Sequence, residues 1–265
     1  MKRPSPGVTT PKSTDSAKRP EIGSVQLGGV PRVVLRISRD DPLLAEAEQA
    51  GVDILELRVD QLRQHTEGAV VTEVKRLKRR GLPIIGTVRS PDEGGAGNLD
   101  IARRAVLYDA IIPLVDAVDV ELNSASVLRA TLDVARQNRR TIILSFHDFS
   151  RTPSSSELEA IVARATEAGA NIIKIATQAT DQADVTRLFR FTEEHRSRNL
   201  VTIAMGAIGS ISRLIFPLAG SLMTYTSLSP TDGQIPLDRL VDHLRFYYPA
   251  YNEELVGRLQ LLQYA

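Results

Sequence analysis

The sequence has no cysteine among its 265 residues. Disulfides, thiolate nucleophiles and zinc–thiolate sites are therefore excluded. Histidine is scarce, and His65, His147, His195 and His243 lie far apart. None of the short spacings of a metal site occurs, so no metal is expected. An excess of one charge is missing too: 33 Lys and Arg face 32 Asp and Glu, a net charge of +1. That leaves no electrostatic footprint for nucleic acid or for an anionic membrane. No apolar run approaches the roughly 18 residues of a membrane span. The 42% hydrophobic and 25% charged content is that of a soluble globular protein, with length for one large domain or two small ones.

Residues 1–30 stand apart. They hold Pro4, Pro6, Pro11 and Pro20, many Ser and Thr, and five Lys or Arg against two acids. No apolar stretch follows the basic start, as a secretory leader would need. Such a segment buries too little apolar surface to offset its ordering entropy, so a disordered tail is expected. From residue 31 to 265 one catalytic domain is expected. β-Branched runs at 32–38, 52–60, 83–89, 115–122, 140–147, 171–176, 200–205 and 222–227 alternate with helical patterns. The helical patterns lie near 41–50, 67–80, 99–110, 124–138, 154–168, 180–196, 208–219 and 236–247. Serines at 124 and 154–156 and Gly169 give helix starts and a stop. Eight βα units in about 220 residues predict an α/β fold, a closed (β/α)8 TIM barrel. No Gly-rich dinucleotide fingerprint follows the first strand, which argues against an open doubly wound sheet.

Side chains alternate faces along a strand, so parity sorts them. Apolar residues take one face throughout: Leu55 and Leu57, Val118 and Val120, Ile142 and Leu144, Ile173 and Ile175. With that face on the helices, Glu56, Arg58, Arg89, Asp119, Glu121, His147 and Lys174 point into the barrel. They lie toward the C-terminal strand ends, where such barrels build active sites. A ring of buried ion pairs that merely fixes packing is the bland reading. Hydrophobic layers would fill the space at less desolvation cost, and convergent ionisable groups mark a site. A lysine among isoleucines and near Arg58 and Arg89 is expected to lose its proton readily. A neutral amine attacks ketones and aldehydes, forming a Schiff base, and His147 can carry the protons.

These residues resemble a known family, the type I 3-dehydroquinate dehydratases of the shikimate pathway. "DILELRVD" (53–60) is similar to the second-strand signature, and "TVRSPDEGG" (87–95) to an Arg-x-x-x-Glu-Gly-Gly loop. "SFHDFSRTP" (145–153) resembles the histidine motif, "IIKIA" (172–176) the lysine strand, and "IAMGAIGSISRL" (203–214) the seventh-strand loop and helix. The resemblance implies Lys174 as the imine-forming lysine, His147 as the acid/base and Glu93 as its orienting partner. It implies Glu56, Arg58 and Arg89 against the substrate, and Arg213 on the substrate carboxylate. Gln234 would close over the site, with either Ser229 or Thr231 in place of the loop serine of the family. Arg36 falls where the family often has Ser, either to contact substrate or to pair with Glu56. The implied reaction dehydrates 3-dehydroquinate to 3-dehydroshikimate, without cofactor, in a cytoplasmic homodimer.

Two other readings stay open on sequence. "GAIGSIS" (206–212) could present N–H groups to a phosphosugar in a Schiff-base aldolase, or the barrel could be a catalytically dead binding module. His65, His195 and His243 read as surface or packing residues. "RFYYPAY" (245–251) reads as a helix end on the barrel or a dimer contact.

Overall fold

The computed structural model describes residues 19–38, 44, 46, 49–228 and 233–262. Among them, eight parallel strands form a nearly closed barrel: β3 (Arg32–Ile37), β4 (Ile54–Arg58), β5 (Ile84–Thr87), β6 (Ala117–Glu121), β7 (Thr141–Asp148), β8 (Ile172–Gln178), β9 (Leu200–Met205) and β10 (Met223–Ser227). They pair in chain order, and β10 returns to β3. Leu222 N–H donates to the Leu200 carbonyl, bringing β9 beside β10. Helices α1 (Glu67–Lys78), α2 (Ile101–Ile111), α3 (Arg129–Gln137), α4 (Ser155–Glu167), α5 (Gln182–Glu194), α6 (Gly206–Gly209), α7 (Ser212–Ala219) and α8 (Leu237–Tyr247) follow β4 to β10. Among the described residues no helix is long and apolar enough to cross a membrane.

Local chemistry explains the boundaries. Ser154 and Glu157 form a reciprocal capping box at the start of α4, and the chain turns out of that helix at Gly169, φ +81°. Ser124 does not cap α3 as its position suggests. Its hydroxyl instead accepts from Arg104, and α3 begins only at Arg129. The helix expected near 41–50 falls mostly outside the described residues, and Ser229 and Thr231 lie outside them altogether.

Strand parity holds. Outward side chains such as Leu55, Leu57, Val118 and Ile175 pack on the helices in the main core. Inward, the bottom layer is apolar: Val34, Ile54, Ile85, Ala117, Ile143, Ile172, Val201 and Met223. Ile22 and Leu27, both fully buried, join this layer from below. Ile22 belongs to, and Leu27 directly follows, a hairpin of β1 (Glu21–Ile22) and β2 (Val25–Gln26) that floors the barrel. Composition assigns residues 19–30 to the tail, and here the structure corrects it. The alternation of Ile22, Val25 and Leu27 is too short to stand out against 18 polar, Pro-rich residues, yet it buries two large side chains.

At the other end of the chain, helix α9 (Pro249–Leu262) extends beyond the repeat. Buried Tyr251 and Leu255 pack it on Val33, Leu240 and Leu244. Arg258 pairs with fully buried Asp53 at 2.9 Å, and Arg32 with Glu254 at 2.5 Å.

Candidate active site

Above the apolar floor the barrel turns polar. Register sets Arg36 beside Glu56, Thr87 beside Asp119, and Ser145 beside Lys174. Arg58, Glu121 and His147 lie two residues further up their strands, and Arg89 two beyond Thr87. All face the axis because the period of a strand is two.

Lys174 stands at the centre, 4% exposed. Its Nζ donates to Asp119 Oδ2 at 2.9 Å, lies 3.6 Å from Glu56 Oε2, and sits 4.2 Å from the centre of the Tyr225 ring. Strand parity sets Glu56 and Asp119 inward together with Arg58 and Arg89, and in space the two carboxylates are the partners that Lys174 meets. Asp119 is shared. Its Oδ1 accepts from Ser145 Oγ at 2.6 Å and lies 3.1 Å from Arg89 Nη2. Burial opposes its charge, but Arg89 and Lys174 outweigh burial and hold the carboxyl below the usual range.

Arg89 is enclosed by acceptors: Glu121 at 3.2 Å, Ser145 Oγ at 2.7 Å and Asp119. Burial lowers its pKa, and Asp119, Glu121 and Glu56 more than reverse that. Arg58 is held differently. It makes a two-pronged pair with Asp60, at 2.9 and 2.7 Å, and donates to the Gly94 carbonyl. Asp60 also accepts from the N–H groups of Arg89 and Ala96, tying the 89–96 loop to β4. That loop cannot carry a side chain at Gly95, where a Cβ would lie 2.3 Å from the Arg89 carbonyl oxygen.

The loop delivers Glu93. Its Oε2 is 3.0 Å from His147 Nδ1 and accepts from the His147 N–H, while Asn123 donates to Oε1. Burial, with the Glu121 carboxylate nearby, raises Glu93 to about 7. Burial also holds the His147 imidazole well below the usual histidine range, helped by Arg89 and Lys174. The imidazole is therefore neutral near pH 7.

Arg213 is the second residue of α7 and is buried. Its guanidinium donates to the Ala204 and Gly209 carbonyls and to Ser212 Oγ, while Nε has no partner. Burial lowers its pKa to about 10. Among the described residues it meets no carboxylate. Gln234 accepts from Ser227 Oγ at 2.8 Å, at the end of β10. The preceding Gly233, φ +77°, is seated against Gly206, whose carbonyl oxygen would lie 2.3 Å from a Cβ. Arg36 and Glu56 are neighbours in register but form no ion pair, because Glu56 is taken by Thr87, Lys174 and Arg89.

The structure thus brings Lys174, His147, Glu93, Glu56, Arg58, Arg89 and Asp119 around one axis, with Arg213 and Gln234 at the β9–β10 side. Residue reading missed the parts of Asp60, Ser145 and Tyr225. Asp60 was visible in "LRVD"; the other two share the inward parity of charged neighbours.

Fold and site together define a (β/α)8-barrel enzyme with a lysine-centred, carboxylate-rich pocket. The chain belongs to the type I 3-dehydroquinase family, whose profile matches residues 32–250. Among relatives, the 3-dehydroquinate dehydratase of Thermodesulfovibrio yellowstonii is 34% identical, over 81% of this chain and 95% of that protein. That of Methanocella arvoryzae is 37% identical over 81% and 96%. Among solved structures, the Aquifex aeolicus 3-dehydroquinate dehydratase superposes with a TM-score of 0.72 at 32% identity, covering 82% of this chain and 99% of that one. The Clostridium difficile type I enzyme, described with covalently modified comenic acid, gives 0.82 at 27% identity, over 88% and 98%. The chain is accordingly a lyase with the 3-dehydroquinate dehydratase function of its family.

Proposed function

We propose that Lys174 carries the reaction as a Schiff base, in a cytoplasmic homodimer serving aromatic amino acid biosynthesis. The observation behind this is a buried lysine at the barrel axis beside an imidazole held neutral. The Nζ, once deprotonated, attacks the C3 ketone of 3-dehydroquinate, and loss of water leaves an iminium. The iminium withdraws electrons and acidifies C2–H. With Nδ1–H given to Glu93, His147 keeps a lone pair on Nε2 and takes the C2 proton as general base. The same histidine, now protonated, donates to the departing C1 hydroxyl, which leaves as water. Hydrolysis of the imine releases 3-dehydroshikimate and restores Lys174.

The remaining residues position and charge the site. Glu56 and Arg58 meet ring hydroxyls, and Arg89 holds Asp119 and the substrate side of the pocket. Arg213 takes the carboxylate, a role suited to a desolvated guanidinium with no protein anion. Gln234, beside Ser227 at the end of β10, adds an amide to the substrate side of the pocket. The covalently modified ligand described for the Clostridium difficile relative is consistent with covalent chemistry in this family.

The test is reduction with borohydride during turnover of 3-dehydroquinate. Mass spectrometry should find one ligand adduct on the Lys174 peptide, and Lys174→Ala should give neither adduct nor turnover. Turnover by Lys174→Ala, or an adduct on another lysine, would refute the mechanism.

A further inference from the structure

Arg36 is the guanidinium this mechanism leaves unused. It lies on β3, faces the barrel axis, and is in register with Glu56 on one side and Ser227 on the other. It is half-buried, and burial followed by the Arg58 charge pulls its pKa down. Two acids act on it from a distance, Glu56 and Asp60. Both are committed elsewhere: Glu56 to Thr87, Lys174 and Arg89, Asp60 to Arg58 and two backbone N–H groups. Among the described residues Arg36 has no hydrogen-bond or ion-pair partner. A partly desolvated cation left in this state is costly, and the cost is recovered only when an anion arrives.

The setting indicates which anion. Arg58 is paired with Asp60, Arg89 with Asp119 and Glu121, and Arg104 with Glu121. Among the described residues, the barrel-strand Arg36 and the α7 Arg213 form no ion pair with a carboxylate. They stand on either side of β10, since β3 pairs with β10 and Arg213 follows β9. Between them Ser227 Oγ donates to Gln234. Arg36 and Ser227 also line a cleft of about 520 Å³, with Ser38, Gln61, Arg63 and Glu73. A ligand can therefore reach the guanidinium.

We infer that Arg36 is a second carboxylate-binding arginine of the substrate pocket, acting with Arg213 across the end of β10. The inference rests on the 3-dehydroquinate reading above. Of the substrate's groups only the carboxylate is an anion, and two guanidiniums hold it more selectively than one. Arg36 thereby sets specificity for an acid over its neutral analogue.

The experiment compares the wild-type full chain with Arg36→Ser and Arg36→Lys. It reads kcat and KM for 3-dehydroquinate, inhibition constants for quinate and quinate methyl ester, and Tm. Arg36→Ser should raise KM about tenfold or more, the scale of a lost buried charge pair, with kcat nearly unchanged. The quinate constant should rise by the same factor and that of the ester should not move. Arg36→Lys should restore part of the loss, and Tm should not fall, because no partner among the described residues is removed. Unchanged KM in Arg36→Ser, equal weakening of quinate and ester, or a lowered Tm would each overturn the inference. A wild-type protein that neither turns over 3-dehydroquinate nor binds quinate would overturn the functional reading together with it.

Discussion

At the scale of single residues, the site sets desolvation against compensating charge. Glu93 shows desolvation winning. Its carboxyl is raised from 4.5 to about 7, so between these values the folded protein holds a proton that the unfolded chain has released. Stability from this group is full below pH 4.5, falls as pH rises toward 7, and is level above it. The loss is roughly 3 kcal/mol, from about 1.4 kcal/mol per unit. Glu93→Gln has no such proton. Its urea-denaturation stability relative to wild type should improve by about that amount between pH 4.5 and pH 8. A difference that stays flat with pH would contradict the shift.

Asp119 shows the opposite balance, because one buried carboxylate serves both Lys174 and Arg89. Asp119→Asn would leave two buried cations short of an anion. A loss of about 3–5 kcal/mol is expected, the cost of breaking a buried pair, measured by chemical denaturation. Retention of wild-type stability would show that Glu56 and Glu121 suffice.

At the scale of elements, the strands contribute an apolar layer below and, except for β9 with its inward Val201, Ile203 and Met205, a polar layer above. This division lets a stable floor carry a costly site. The floor is completed by β1 and β2, with Ile22 and Leu27 fully buried. Leu27→Ala should therefore cost about 2–4 kcal/mol, the range for a large-to-small change in a core, read as a shift in urea midpoint. A tail residue in water would show no change, so a null result would separate the hairpin from the barrel. Loops complete the upper layer by contact with one another. Asp60 fastens the Glu93 loop to β4, and Gly233 fastens the Gln234 loop to Gly206.

At the scale of the whole molecule, the near balance of charge leaves apolar surface as the main means of self-association. Ile208 and Leu218 are exposed on α6 and α7 with Ile211 in the turn between them, and Phe246, Tyr247 and Leu261 are exposed along α8 and α9. Clusters of this kind are what a second copy would cover. Light scattering should return twice the chain mass of 29.0 kDa, and the single-chain value would refute the homodimer.

The amino-acid sequence by itself determined the barrel, its eight repeats and the inward set of Glu56, Arg58, Arg89, Asp119, Glu121, His147 and Lys174. It could do so because strand parity is a local rule: a side chain's face follows from its neighbours' pattern alone. The tertiary structure alone decided how these charges are shared. Lys174 meets Asp119 from 55 residues away in sequence, and Glu93 reaches His147 across 54. Such pairings depend on which strand lies beside which and on how far each loop folds back. They also decide which cations are left over, and that is why Arg36 reads as a departure in sequence and, only in space, as a guanidinium without a partner among the described residues. The floor hairpin belongs to the same class. Two buried side chains within a dozen residues become a signal only when the open end of a barrel stands above them.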